Sequence, residues 1–79
     1  MRYVAIKVQE YATKKVVLVE NPKDERYKGG VICQIWIDDF DGPPDGGQFY
    51  DGYTIEEVMQ EFEALYDVKR SEWSTLPDE

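Results

Sequence analysis

Histidine is absent from this 79-residue sequence, and cysteine occurs once, at Cys33. Without histidine the commonest general base and the commonest metal ligand are missing, as is the usual partner of a nucleophilic serine or cysteine. A lone cysteine cannot form an internal disulfide or a cysteine-cluster zinc site. No apolar run approaches the roughly 20 residues of a membrane-spanning helix. The first residues, Met1-Arg2-Tyr3-Val4, enter an alternating pattern directly, with no signal-peptide core, so the expected compartment is the cytoplasm. Nucleophile–base arrangements, phosphate-binding loops and zinc motifs are also missing. The chain is therefore expected to bind rather than catalyse, and neither a metal nor a cofactor is expected.

Positive charge is scarce beyond the first thirty residues. Residues 1–30 hold seven Lys/Arg and four Asp/Glu, whereas residues 31–79 hold two and thirteen, giving the chain a net charge of −8. Ten acids and no base lie between Asp38 and Asp67. That field repels phosphate backbones, which argues against direct nucleic-acid binding.

What is present reads as one small acidic domain over residues 1–79. A chain of this length buries roughly 60% of its unfolded surface, so each large apolar residue counts. Residues 3–9 alternate, with Val4, Ile6 and Val8 on one face and Tyr3, Ala5 and Lys7 on the other, as in a half-buried strand. Residues 11–14 read as a turn, and residues 15–20 are β-branched and apolar, a second strand. Asn21-Pro22 opens a polar loop that closes at Gly29-Gly30. In a third strand, residues 31–37, Val31, Cys33, Ile35 and Ile37 share a face. Residues 38–53 break the pattern around a Pro44-Asp45-Gly46 turn, with Gln48-Phe49-Tyr50 as a short fourth strand.

A helix is expected over residues 55–67. Thr54 and Glu57 have capping-box spacing, and Tyr53 and Val58 that of a hydrophobic staple. Ile55, Val58, Met59, Phe62, Leu65 and Tyr66 form one apolar stripe. Lys69 and Arg70 complement the negative end of its dipole. Ser71 begins a further helical turn carrying Trp73, and the chain then runs into an acidic end. The expected fold is α+β: an antiparallel meander of three or four strands with one helix on one face. The helix is expected to cover Val4, Ile6 and Val8 together with the odd-numbered residues of the third strand.

Three binding surfaces follow. The first is acidic: Asp38, Asp39, Asp41, Asp45 and Asp51 in the loop, with Glu56, Glu57, Glu61, Glu63 and Asp67 on the outer helix face. Like charges four residues apart, such as Glu57 and Glu61, each cost about 0.2–0.5 kcal/mol, and no lysine on that face offsets them. Such a surface fits a groove of Lys and Arg on a basic or nucleic-acid-binding protein, making the chain an inhibitor or regulator. In size and charge alone it is similar to immunity proteins and other small acidic inhibitors of nucleic-acid enzymes, including DNA mimics. The second surface is the sheet face away from the helix, with Tyr3, Ala5, Val17, Val19, Ile32 and Trp36, suited to a protein partner or a homodimer. The third is a calcium loop, against which the spacing speaks, because the glycine position of an EF-hand falls on Pro44. Cys33, inside an apolar strand, reads as a small buried hydrophobe.

Overall fold

The computed structural model describes residues 1–8 and 12–77. Five strands and one α-helix follow in chain order: β1 (Arg2–Val8), β2 (Thr13–Glu20), β3 (Gly30–Ile37), β4 (Gly46–Asp51), α1 (Ile55–Tyr66) and β5 (Ser74–Leu76). The fold is α+β. One sheet takes the order β4-β3-β2-β1-β5, and every pairing is antiparallel. The first four strands form the expected meander. Because β4 and β5 lie at opposite edges, the segment between them must cross the sheet, and α1 makes that crossing on one face.

The helix follows its local signals. The Thr54 side chain accepts from the Glu57 N–H, and the Glu57 carboxylate accepts from the Thr54 N–H at 3.0 Å, completing the capping box. At the other end Asp67 adopts φ 57°, and the Val68 N–H returns to the Phe62 carbonyl. This closes the last turn in the manner of a Schellman motif. Ile55, Val58, Met59 and Phe62 are the buried side of the stripe, whereas Leu65 is exposed.

The core under the helix comprises Ala5, Val16, Leu18, Val31 and Cys33 from the sheet, with Val68 and Trp73 from the segment after α1. The register explains the sheet's contribution. Ala5 pairs with Val16 and Val16 with Ile35, while Tyr3 pairs with Leu18 and Leu18 with Cys33. Side chains paired this way share a face. The odd residues of β3 therefore meet the helix as expected, but the odd residues of β1 do so as well.

That corrects the expectation for β1. Val4, Ile6 and Val8 lie on the face away from the helix, and Tyr3 and Ala5 lie beneath it. Both faces of β1 can be buried, so alternation does not choose between them. Lys7 shares the inner face: its ammonium donates to the Asp67 carbonyl at 2.8 Å and reaches the Glu72 carboxylate at 3.2 Å. A cation is favourable at the end of α1, so this placement of Lys7 agrees with Ala5 and Tyr3 lying on that side.

The strand count is also corrected, from three or four to five. The helical turn expected from Ser71 is a single 3-10 turn at Arg70–Glu72, and β5 follows it, paired with β1 through Arg2–Leu76 and Val4–Ser74. The fourth strand is longer than expected, spanning Gly46–Asp51. Lys69 and Arg70 lie beyond the helix and form ion pairs instead of completing its last turn. The turn expected at residues 11–14 falls partly outside the described residues, and Thr13 and Lys14 belong to β2.

Candidate functional site

The loop between β3 and β4 is held by its own acids. The Asp38 carboxylate accepts from the Thr13 N–H at 2.9 Å, and Asp38 itself has φ 62°. Asp39 accepts from the Asp41 N–H at 3.0 Å, and Asp45 accepts from the Ile37 N–H at 2.7 Å. Asp and Asn supply such local bonds in turns. Three of the four loop carboxylates thus shape the backbone, while Asp41 is exposed; Asp51, expected in the loop, is instead the last residue of β4, and neither Asp41 nor Asp51 makes a side-chain bond to a described residue. Among the described residues, no three Cys, Asp or Glu side chains converge to hold a metal ion.

The helix acids divide in the same way. Glu57 is spent on the cap. Glu56 pairs with Arg70 at 3.2 Å, and Asp67 pairs with Lys69 at 3.0 Å. The Lys69 hydrogen bond holds the Asp67 carboxyl below its ordinary pKa. Glu72 is also lowered, first by the bond from the Lys69 N–H and then by Lys7. The offsetting cations missing from the helix face are supplied by the segment that follows it. Glu61 and Glu63 have no hydrogen-bond or ion-pair partner among the described residues, and they flank the exposed side that includes Leu65.

The ten acids do not form one surface. The β3–β4 loop folds toward the sheet face opposite the helix. There the Trp36 indole N–H donates to the Gly42 carbonyl at 2.8 Å, and Lys15 reaches the Phe40 carbonyl at 3.5 Å. Lys15 and Trp36 belong to the residue sets that alternate away from the core. The outer helix acids point from the other side of the molecule. Neighbours in sequence are separated here because β4 intervenes.

The face away from the helix is the larger candidate. It carries Val4, Ile6 and Val8 from β1, Val17 and Val19 from β2, Ile32 and Trp36 from β3, and Phe49 from β4. Arg2, Lys15 and Gln34 are interspersed. Tyr3 and Ala5, expected here, belong to the helix side. At one end the loop covers part of Trp36. At the other, Tyr27 meets Phe49 edge-on with ring centroids 5.2 Å apart, and Phe49 lies across Gly30. Between these ends lies a groove of about 590 Å³ lined by Tyr27, Ile32, Gln34, Pro44, Gly47 and Phe49, among others. No helix or further strand among the described residues covers the β1 side, where Ile6 is 55% and Val8 76% exposed. The signal for these residues was legible in the alternation of β1, but its face was not.

Cys33 is buried, and burial pushes its thiol up to about 12 from 9.0. No helix among the described residues is long and apolar enough to cross a membrane. In comparisons with known proteins, the chain matches no family model, no curated protein and no solved structure.

Proposed function

We propose that the chain is a protein-binding module, without catalysis, that docks a partner protein on its open sheet face. The observation that carries this reading is the exposure of Ile6 and Val8, next to the half-buried Val4 on β1, on a face that no helix or further strand among the described residues covers. Contiguous apolar surface on a small protein marks interaction sites, and aromatic residues such as Trp36 serve as anchors within them. The loop stapled over Trp36 gives that face a polar rim containing Asp39 and Asp41.

A second reading keeps the acids as the contact: a regulator presenting carboxylates to a basic or nucleic-acid-binding protein. Glu61 and Glu63 favour it, since neither carboxylate forms an ion pair or hydrogen bond with a described residue and only Lys69 lends Glu63 a longer-range attraction. In that case binding weakens steeply with salt, whereas apolar docking is nearly indifferent to it.

Site-specific photo-crosslinking in the producing cell separates the two. With the crosslinker at Ile6 or Val8, the open-face reading expects a discrete protein adduct, and at Glu61 or Glu63 none. Adducts from the helix positions alone would replace it with the acidic reading.

A further inference from the structure

The sheet's two edges are built differently, and the difference follows from the hydrogen-bond parity. The Asp38 N–H donates to the Thr13 carbonyl, so the even residues of β3 bond to β2. Alternation in an antiparallel ladder then leaves the odd residues of β3 to bond to β4. The bond from the Gly52 N–H to the Gly29 carbonyl has the same parity. Gln48 and Tyr50 therefore spend their backbone groups on β3, while at the loop end the Ile35 carbonyl accepts from the Asp45 N–H, and Gly47, Phe49 and Asp51 turn theirs outward, away from the sheet.

Natural sheets shorten, charge or cover such edges, because an unpaired row of N–H and C=O groups is a template for another strand. The β5 edge follows that practice. It is three residues long, is followed by Pro77, and has the Pro77 carbonyl occupied by the Arg2 guanidinium at 2.8 Å. The β4 edge does not. It is six residues long, contains neither lysine nor proline, and has β3 as its one strand neighbour among the described residues.

A second, independent feature lies beside it. The 590 Å³ groove opens along β4, with Gly47 contributing no side chain, Tyr27 and Phe49 toward one end and Pro44 toward the other. A Cβ at Gly47 would come within 3.1 Å of the Cys33 carbonyl, so the absence of a side chain there also serves the fold.

We propose that β4 is a docking edge for an extended segment of a partner protein. The segment adds as a further strand and places an apolar side chain in the groove beside Gly47. Outward N–H and C=O groups at every second residue call for an extended backbone, and the groove supplies the side-chain pocket that gives such strand addition its specificity. Asp51 lies on the same face as Gly47, four residues along. With the chain at −8 overall, the segment that fits is apolar opposite Gly47 and basic opposite Asp51. This site is the sheet edge and does not depend on docking over Ile6 and Val8.

The test is a synthetic peptide of about six residues, the length of an average strand. It alternates threonine with valine or leucine and carries one terminal lysine, and it is added to the isotopically labelled protein. Amide hydrogen exchange is then followed by NMR. With peptide at ten times its Kd, exchange at Gly47, Phe49 and Asp51 should slow about tenfold, while Gln48 and Tyr50 stay as they are. The same peptide N-methylated on alternate backbone amides should not bind, and Gly47→Pro, which removes an outward N–H, should abolish binding by the unmodified one. Three outcomes would overturn the proposal: equal binding of the N-methylated peptide, protection confined to Gln48 and Tyr50, or concentration-dependent protection of the three edge amides without peptide. The last would assign the edge to a second copy of this chain.

Discussion

Lys15 holds its ammonium group 4.2 Å from the centroid of the Trp36 ring, on the sheet face opposite the helix. The two residues pair across β2 and β3, and both are tied to the following loop, Lys15 through Phe40 and Trp36 through Gly42. The relationship locks the loop's path over the sheet. Lys15→Met keeps the aliphatic stem but removes the cation. It is expected to lower stability by about 0.5–1 kcal/mol, the value of an exposed cation–π contact. Urea unfolding measures the loss, and a change in tryptophan emission reports the freed Trp36 ring.

The capping box should be the most economical lever on the helix. Thr54→Ala leaves the Glu57 N–H without its acceptor and is expected to cost about 1 kcal/mol. The urea midpoint should fall with an unchanged slope, since the same surface is exposed on unfolding.

Gly30 is fixed by a close approach. A Cβ there would come within 2.5 Å of the Tyr50 carbonyl and 2.6 Å of the Phe49 ring. Gly30→Ala must displace the ring or the strand and is expected to cost about 1–3 kcal/mol, as overpacking does. The change should also alter the near-UV signal of the Tyr27–Phe49 pair.

The Cys33 thiol is raised in the folded state by desolvation. The unfolded chain's thiol ionises first as pH climbs past its ordinary value, so the thiol's contribution to stability is constant below that value and falls above it. Thiol reagents at pH 8 should label Cys33 slowly in the native protein and rapidly in urea. Replacing Cys33 with Ser or Ala should remove the thiol's share of the alkaline decline and leave that of Tyr3 and Tyr50, whose phenols burial also raises.

Glu72 gives the opposite sign. Its folded pKa is depressed by the Lys69 N–H and by Lys7, so its contribution is present above the ordinary carboxylate range and is lost as pH falls through the folded value. Glu72→Gln should flatten part of the acid limb of a stability–pH curve while leaving the alkaline limb unchanged. Equal slopes for both proteins would show that the contact adds nothing to folding.

The local elements were legible because their causes are local. The Thr54–Glu57 spacing and the stripe from Ile55 to Phe62 place a helix wherever the chain goes, and the observed boundary differs from the expected one by a single residue. The face of β3 followed from its alternation. β5 was not legible: Ser74–Leu76 has no strand pattern of its own and is a strand because β1 offers it a free edge. The acidic block was legible as composition, but not its division between caps, ion pairs and loop bonds.

Sequence by itself determined the α+β class, the helix and its cap, the position of each long strand and the concentration of carboxylates after residue 37. Those features depend on neighbours a few residues apart, whose interactions survive in any topology. Only the tertiary structure decided which face of β1 meets the helix, where the helix acids find cations, and which sheet edge is left unpaired. Each depends on the antiparallel register, where a shift of one residue exchanges the two faces of a strand. Lys7 reaching the end of α1 is one contact across that distance that the observed face allows.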